Sequence, residues 1–285
     1  MLVLSLDSYN SHYHCLKEMK IFKDRKNLQN EILNTKGISF VPTMGGLHKG
    51  HISLIKKSKK NKLKTLVSIF VNPKQFNEKK DFKSYPRNQK KDLKILKKLK
   101  VDYLYLPSIK DIYSFEPKNK VFLDKFSKQL CGKYRKGHFP GVLNVVNRFL
   151  DIIKPKKLFM GKKDFQQLYL VKKHIIKRKI NTKIVECETI REKNGVACSS
   201  RNYRLNLKHK KVASKIFHYL KKIKYKFNFI NPNLLKKEII KLGAEKIDYI
   251  EFYNIKNFKT SKKFNKNSRI FIAYYLNKVR LIDNI

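Results

Sequence analysis

Short apolar runs alternate with longer segments of helical periodicity between about residues 20 and 190 of the chain. The apolar runs predict strands at 37–42, 65–71, 101–107, 156–160 and 182–189. The periodic segments predict helices at 50–60, 87–100, 141–154 and 164–178. Because strands that alternate with helices form parallel sheets, this pattern predicts an α/β unit whose functional loops lie at the carboxyl ends of the strands.

The pattern changes after about residue 190. The elements predicted there are helices around 206–222 and 232–242 and strands at 245–254 and 268–284, the last a pair that turns near Asn277. Together they predict a smaller α+β domain at residues 190–285, which follows a parallel-sheet domain at residues 19–189.

The 285 residues carry a formal net charge of +47, from 68 Lys and Arg against 21 Asp and Glu. Such an excess is typical of nucleic-acid binding, because basic side chains release counterions from phosphates. The lysines are spread along every segment and form no single basic stripe, and the abundant Asn, Ile, Phe and Tyr share AT-rich codons with lysine. We interpret the charge as compositional bias and predict no specific nucleic-acid partner, although anions such as ATP are attracted at low salt.

The cysteines and the apolar runs do not indicate secretion or a membrane. Cys15, Cys131, Cys187 and Cys198 show neither C-x-x-C spacing nor the clustering typical of metal sites and disulfide frameworks. The first residues lack a basic region and a clear cleavage site, which argues against a secretory signal. Since no run approaches the ~20 apolar residues of a membrane span, we predict a protein of the reducing cytoplasm.

The segment MGGLHKGH, residues 44–51, follows the first of these predicted strands directly and concentrates glycine and histidine. A strand, a glycine-bearing turn and a helix form a geometry in which backbone amides and the positive helix end face a phosphate. His48, Gly50 and His51 form an H-x-G-H sequence that places two imidazoles in the first helical turn. Taken alone, these four residues are explained equally well by a tight turn with two incidental histidines.

Seven sequence blocks together resemble the pantothenate synthetase family, the pantoate and β-alanine ligases of the HIGH-type nucleotidyltransferase superfamily. In chain order the blocks are VPTMGGLHKGH, VSIFVNPKQF, DFKSYPR, GHFPGVLNVVNRF, FMGKKDFQQL, REKNGVACSSRN and VRLIDN, spread over residues 41–284. The resemblance implies a Rossmann-like domain that binds ATP and pantoate, a smaller C-terminal domain that closes over the site, and a homodimer.

The resemblance also implies a two-step reaction. The pantoate carboxylate attacks the α-phosphorus of ATP, which carries Mg²⁺, and gives pantoyl adenylate and pyrophosphate. The β-alanine amine then attacks the acyl carbon and gives pantothenate and AMP. Because the first nucleophile is already an anion, alignment and neutralisation of phosphate charge suffice, and the lack of a recognisable nucleophile triad fits this chemistry.

Residue roles follow from the same resemblance. The implied catalytic residues are His51, as proton donor, with His48, Lys163 and Arg201. The implied ATP-binding residues are Met44, Gly45, Gly46, Leu47, His48, Lys49, Gly50, His51, Gly161, Lys162, Lys163, Asp164, Ile190, Cys198, Ser199, Ser200 and Arg201. The implied pantoate and β-alanine residues are Gln75, Gln167, Asn72, Arg135 and His138, and no protein ligand of a metal is implied. For His51 we favour charge stabilisation over literal proton transfer, because pyrophosphate held by Mg²⁺ and lysine is already a tolerable leaving group.

The chain departs from the family pattern at a few positions. Cys198 stands where the family usually has Met, and we interpret it as a packing residue, because both are soft apolar fillers. Pro140, Gly46 and Asn194 also replace the usual residues. Residues 1–18 have no counterpart in the family pattern, so they are either an extension or the product of a start codon assigned too early.

Three other interpretations remain. Another adenylyltransferase of the superfamily would share H-x-G-H, but VNPKQF and KDFQQL resemble the ligase alone. A basic RNA-binding protein would bind with a steep salt dependence. A decayed copy of the enzyme is disfavoured by the intact motifs.

Overall fold

Two β-sheets organise the chain in the computed structural model, which describes residues 18–226, 231–256, 258–260 and 267–285. The first is a six-stranded parallel sheet with the order β1-β4-β3-β2-β5-β6. Its strands are β1 Lys20–Phe22, β2 Ile38–Thr43, β3 Lys64–Ile69, β4 Tyr103–Tyr105, β5 Lys157–Gly161 and β6 Lys183–Cys187. The second is a three-stranded antiparallel sheet of β7 Lys246–Asn254, β8 Ser268–Leu276 and β9 Val279–Asn284.

Helices connect the strands. Those of the first sheet are α1 Arg25–Leu33, α2 Lys49–Ser58, α3 Lys79–Lys83, α4 Gln89–Lys98, α5 Ile109–Tyr113, α6 Cys131–Tyr134, α7 His138–Ile153 and α8 Phe165–Lys177. Two further helices, α9 Leu207–Lys226 and α10 Pro232–Lys241, precede the second sheet. Several helices begin at a polar side chain that accepts a hydrogen bond from the first turn, as Asn88 does for α4 and Asn231 for α10.

The order of the parallel strands fixes where a ligand can enter. From β2 the chain extends the sheet to one side through β3 and β4, and from β5 to the other side through β6. The strand order therefore reverses between β2 and β5, and at such a point the loops beyond the carboxyl ends of the strands diverge and leave a crevice. The loops after β2, β3, β5 and β6 carry most of the sequence blocks singled out above.

The second sheet has its own apolar core. Side chains of α9 and α10, such as Ile216 and Ile239, pack against Ile250 of β7 and Ile272 of β8. The turn between β8 and β9 consists of Asn277 and Lys278, both with positive φ (49° and 59°). Two residues in this conformation match the right-handed twist of a hairpin, so the predicted strand pair with its turn near Asn277 is confirmed.

Polar contacts fasten β9 to the end of β5. The amide of Asn284 donates to the carbonyls of Lys162 (3.0 Å) and Lys163 (2.7 Å), in the 3₁₀ turn that follows β5. Beside it, Asp283 forms a two-pronged ion pair of 2.6 and 3.0 Å with Arg191. The VRLIDN block thus contributes to the position of the backbone at residues 162–164, although it lies far away along the sequence.

The α/β class and the smaller α+β unit are confirmed, while several element bounds differ from the predictions. The predicted strand 101–107 is only Tyr103–Tyr105, where it pairs with β1 and β3. The predicted helix 141–154 begins earlier, at His138. Strand β1 and helix α1 were not predicted, because β1 has only three residues and two of them are exposed. The boundary at residue 190 stays a prediction, and residues 1–17 of the possible extension lie outside the described part of the chain.

A close approach of two backbones leads to a prediction of stability. A Cβ at Gly141 in α7 would lie 2.1 Å from the carbonyl oxygen of Lys74, whereas one at Gly161 would meet nothing within 4 Å. Helix propensity alone favours alanine over glycine by about 1 kcal/mol, but the clash should outweigh it and destabilise Gly141→Ala by about 1–3 kcal/mol. Urea unfolding measures the difference, with Gly161→Ala as control. A Gly141→Ala variant as stable as the parent protein would contradict this account.

Candidate active site

The loop between β2 and α2 carries the H-x-G-H sequence. Gly45 and Gly46 have φ values of +76° and +60°, which L side chains rarely adopt. A Cβ at Gly45 would also lie 3.0 Å from both Asp92 and Ile69. The two glycines therefore permit a sharp turn that leads from the strand end at Thr43 into α2.

A carboxylate that sequence reasoning missed holds this loop. Asp92 in α4 accepts hydrogen bonds from the backbone amides of Gly46 and Leu47, each at 2.8 Å. Its side chain is buried, with 2% of its surface exposed. In the sequence, Asp92 is only an acidic residue among lysines in the first turn of a helix. Acidic residues are common in that position, so nothing in the sequence indicates that Asp92 binds the loop.

The two histidines lie side by side at the start of α2. His48 caps the helix, and its Nδ1 accepts from the amide of Gly50 at 3.1 Å. The ring centroids of His48 and His51 are 4.1 Å apart. Since Nδ1 of His48 accepts, the proton of the neutral ring is on Nε2, where it can be donated. His51 has a buried Nδ1 without a protein partner among the described residues.

Electrostatics keep both histidines neutral. Burial, followed by the charge of Lys163, lowers the pKa of His48 from 6.5 to about 4. Burial, followed by the proximity of His48, lowers the pKa of His51 to about 3. At neutral pH the pair therefore offers hydrogen bonds without adding positive charge.

A cleft of about 650 Å³ opens at the point where the strand order reverses. This volume suits a small-molecule or nucleotide site. The predicted residues that line it are Met44, His48, Gly50, His51, Asn72, Gln75, Arg135, His138, Gly161, Lys163, Asp164, Gln167, Ile190, Cys198, Ser199, Ser200 and Arg201. The predicted residues Gly45, Gly46, Leu47, Lys49 and Lys162 do not line it.

The predicted residues outside the lining have different surroundings. Leu47 is buried in the apolar core beside the sheet. Lys49 is exposed, and Lys162 forms an ion pair of 2.5 Å with Glu188. Lys163 instead lies in the cleft wall with its ammonium 3.4 Å from Asp164. Of the two neighbouring lysines, Lys163 is therefore the better placed to meet a phosphate.

The Ser-Ser-Arg turn also lines the cleft. Ser199 precedes a 3₁₀ turn, and its hydroxyl accepts a hydrogen bond from the amide of Arg201 at 3.2 Å. The hydroxyl of Ser200 donates a hydrogen bond to the hydroxyl of Tyr85 at 3.3 Å. The guanidinium of Arg201 pairs with Asp81 at 2.8 Å. Cys198 is 4% exposed, and burial raises the pKa of its thiol, so its environment is that of a packing residue.

Asn72 and Gln75 lie in the turn after β3. The Asn72 side chain is buried and has four protein partners: its oxygen accepts from Tyr113 and Lys74, and its nitrogen donates to Gln75 and the carbonyl of Gly141. Gln75 in turn contacts the sulfur of Met44 at 2.8 Å. This geometry favours Asn72 as a positioning residue for Gln75, and its predicted direct contact with substrate stays a prediction.

The adjacent glutamines of the KDFQQL block have different surroundings. Gln166 is buried, accepts from the amide of Cys131 and donates to the carbonyls of Phe126 and Gln129. The side chain of Gln167 faces the cleft and has no hydrogen bond to the part of the chain that the structure describes. Gln167 is thus the one of the pair that is available to a ligand.

Arg135 and His138 form a linked pair beside Gln75. His138 Nδ1 donates to the carbonyl of Gln75 at 2.8 Å, and its Nε2 accepts from Arg135 at 2.9 Å. This assignment fits a neutral ring, because burial, followed by the charge of Arg135, lowers the pKa of His138 to about 3. His138 therefore orients the guanidinium of Arg135 and, because its ring is neutral, adds no second positive charge beside it.

Comparisons with known proteins agree with this arrangement. A sequence model described as Pantoate-beta-alanine ligase matches residues 16–285. A pantothenate synthetase from Flavobacterium psychrophilum is 42% identical over 258 residues, which are 88% of this chain and 92% of that protein.

Solved structures are similar over almost the whole chain. A pantoate-beta-alanine ligase from Francisella tularensis, complexed with beta-gamma ATP and beta-alanine, has a TM-score of 0.80 and 41% identity, and the match covers 94% of this chain and 97% of that one. A pantothenate synthetase from Thermus thermophilus has a TM-score of 0.85 and 27% identity, with coverage of 94% and 99%.

The low pKa values of His48 and His51 predict how these rings respond to acid. Nitrogen chemical shifts of labelled histidines should show both rings neutral from pH 8 to 5, with protonation only near pH 4 and below. An unfolded imidazole titrates near pH 6.5, so the unfolded chain binds more protons between about pH 4 and 6.5. Stability should therefore fall as the pH decreases through this range. The variant His218→Gln, at an exposed position, helps to assign the spectrum, and a midpoint near 6.5 for His51 would refute the prediction.

Proposed function

We propose the following chemistry from the premise that the chain belongs to the pantoate-β-alanine ligase family, whose sequence model it matches over residues 16–285. The enzyme condenses (R)-pantoate with β-alanine at the expense of ATP, and forms pantothenate, AMP and pyrophosphate through a pantoyl adenylate. The observation that carries this assignment to individual residues is their convergence: the H-x-G-H loop, the GKKD turn, the Ser-Ser-Arg turn and Gln75 all line one cleft.

In the first step the cleft aligns the carboxylate of pantoate with the α-phosphorus of ATP. Lys163 and Arg201 lie in its walls, where their charge can offset the charge of the phosphates as it shifts to pyrophosphate. The ion pair of Arg201 with Asp81 joins two side chains that are only 23% and 27% exposed, so a bound phosphate would compete with that carboxylate for the guanidinium. The carboxylate of pantoate needs no base to activate it.

His48 and His51 act in this proposal as neutral donors of hydrogen bonds. A proton donor with a pKa of about 3 would be almost fully deprotonated at pH 7. A neutral imidazole still carries one N–H, which can donate to a phosphate oxygen. The lowered pKa values thus support charge stabilisation over proton transfer as the contribution of His51.

In the second step the amine of β-alanine attacks the acyl carbon. Gln75 and Gln167 present amides that both donate and accept, which suits a substrate with hydroxyl and carbonyl oxygens. Pyrophosphate and then AMP are the leaving groups, so no covalent bond to the protein is needed. The buried thiol of Cys198 has no part in this scheme.

Mg²⁺ fits this site as an ion that arrives with the nucleotide. Among residues 18–226, 231–256, 258–260 and 267–285, no three His, Cys, Asp or Glu side chains converge in a way that could hold a metal. Mg²⁺ commonly uses substrate phosphates, water and one or two carboxylates instead. Asp164, with half of its side chain exposed and facing the cleft, could provide such a carboxylate. When bound, the ion would offset phosphate charge.

The remaining expectations concern assembly and location. No helix in the described ranges has both the length and the apolar character needed to cross a bilayer. From the family resemblance and the cysteine usage we propose a homodimer in the cytoplasm, with the second sheet as the part that closes over the cleft. A specific nucleic-acid partner is not part of this proposal.

The function is tested by release of AMP with each substrate omitted in turn. We expect AMP only when ATP, pantoate and β-alanine are all present, and exchange of labelled pyrophosphate into ATP when pantoate is present without β-alanine. Exchange that is independent of pantoate would indicate a different adenylyltransferase. RNA binding with a steep salt dependence and no AMP release would favour the nucleic-acid interpretation.

The role of His51 predicts a defect in the first step. His51→Ala should slow the pantoate-dependent exchange by about 10²–10³-fold, the range for loss of a donor at a developing charge. His51→Asn, which keeps an N–H, should recover part of the rate. Circular dichroism checks that both variants fold, and near-normal exchange in a folded His51→Ala protein would refute the assignment.

A further inference from the structure

Two arginines of one turn share a single carboxylate. Arg201 and Arg204 belong to the 3₁₀ turn Ser200–Arg204, and side chains three residues apart lie one above the other in such a turn. Both arginines line the cleft. Both guanidiniums are within ion-pair distance of Asp81 in α3, which also lines the cleft and precedes Arg201 by 120 positions.

The two ion pairs differ in closeness. The Nη2 of Arg201 donates to Oδ2 of Asp81 at 2.8 Å, which is a charge-assisted hydrogen bond. The Nη1 of Arg204 is 3.7 Å from Oδ1, beyond the length of a hydrogen bond. Because the guanidiniums use different oxygens, neither excludes the other. Arg204 is therefore a second, looser partner of the same carboxylate.

Asp81 has its partners in these arginines, while its backbone is fastened separately. Apart from them, its carboxylate has no hydrogen-bond or ion-pair partner in the part of the chain that the structure describes. The end of α3 is held by Arg87, which donates to the carbonyls of Phe82 and Tyr85 at 2.8 and 3.3 Å. The guanidinium of Arg87 also lies over the Phe82 ring, 4.9 Å from its centroid. The carboxylate should thus stay at the cleft wall whichever arginine it pairs with.

ATP binding would change the surroundings of this carboxylate. In the proposed first step Arg201 meets the phosphates, so it has to turn away from Asp81. A carboxylate that is only 27% exposed would then lie beside a polyphosphate without a cation, which is unfavourable. Arg204 can prevent this by a small movement, because 3.7 Å exceeds the ~3 Å of a hydrogen bond by little.

We propose that Arg204 takes over Asp81 when ATP binds and so frees Arg201 for the phosphates. Arg204 is in this role a positioning residue, which acts on the phosphates through Asp81 and Arg201 and does not touch them. The role rests on the proposed function, because it requires Arg201 to be a phosphate ligand. Rotations of side chains suffice for the exchange, in which Asp81 keeps one cation and Arg201 moves from one anion to another.

The exchange has a consequence that direct binding does not share. Asp81 competes with ATP for Arg201, and Arg204 reduces this competition by offering Asp81 another cation. The affinity for ATP should therefore depend on Arg204 only while Asp81 carries its charge. If Arg204 contacted a phosphate itself, the affinity would depend on it with or without that charge.

The test is a double-mutant cycle on the Kd of Mg-ATP, measured by isothermal titration calorimetry without pantoate. Arg204→Gln should raise this Kd by about two- to fivefold, the value of a partly exposed ion pair, because Asp81 then retains Arg201 more strongly. Asp81→Asn removes the competing anion and should lower the Kd by a similar factor. In the Asp81→Asn background, Arg204→Gln should change the Kd no more than a control substitution does.

Three comparisons separate this role from a general loss of charge or structure. Lys208→Gln in α9 removes an exposed positive charge outside the cleft lining and is the matched control. AMP lacks the phosphates that leave as pyrophosphate, so all variants should bind it as the parent protein does. Arg204→Lys keeps a cation for Asp81 and should remain closer to the parent protein than Arg204→Gln.

Each contrary outcome would overturn the proposal in its own way. An equal loss of ATP affinity from Arg204→Gln in both backgrounds would make Arg204 a direct phosphate ligand. A higher Kd in Asp81→Asn would mean that the carboxylate orients Arg201 and does not compete with phosphate. An effect of Arg204→Gln equal to that of Lys208→Gln, or an equal change for AMP, would leave no exchange to explain. Failure of the parent protein to catalyse pantoate-dependent pyrophosphate exchange would instead reject the proposed function itself.

Discussion

The cleft depends on one buried carboxylate. Asp92 accepts hydrogen bonds from the backbone amides of Gly46 and Leu47, and without those bonds two backbone donors beside left-handed glycines would lack protein partners. The loop determines where α2 begins, and α2 places His48 and His51 side by side. A single hydrogen-bonded anion beneath the loop therefore sets the geometry of the wall that the phosphates are proposed to meet.

Charge and burial divide the cleft into parts with different tasks. The imidazoles of His48, His51 and His138 are neutral at pH 7, because burial disfavours their protonated form and lowers their pKa values. The permanent cations of its lining include Lys163, Arg201, Arg135 and Arg280. The net charge of +47 adds a general attraction for anions.

Much of the fold could be predicted from the sequence, because β2, β3 and β5 centre on apolar residues that are buried on both faces of the sheet. The cleft lining could be predicted where its residues belong to short sequence motifs, such as those that contain His48 and Arg201. What could not be predicted are contacts between distant positions. Asp92 lies 46 residues from Gly46, and Arg280 lies 149 residues from Cys131. An acid or an arginine in a lysine-rich chain gives no local sign of such a partner, and the different surroundings of Gln166 and Gln167 are decided only by packing.

Asn284 and Asp283 bring a further consequence for how the enzyme is made. They hold the carbonyls of Lys162 and Lys163 and the guanidinium of Arg191, so the proposed nucleotide turn is supported by residues that leave the ribosome more than a hundred positions after it. The parallel sheet can assemble during translation, yet a competent nucleotide turn must wait until β9 has been synthesised and docked. A nascent chain should thus reach its architecture well before its nucleotide turn is complete.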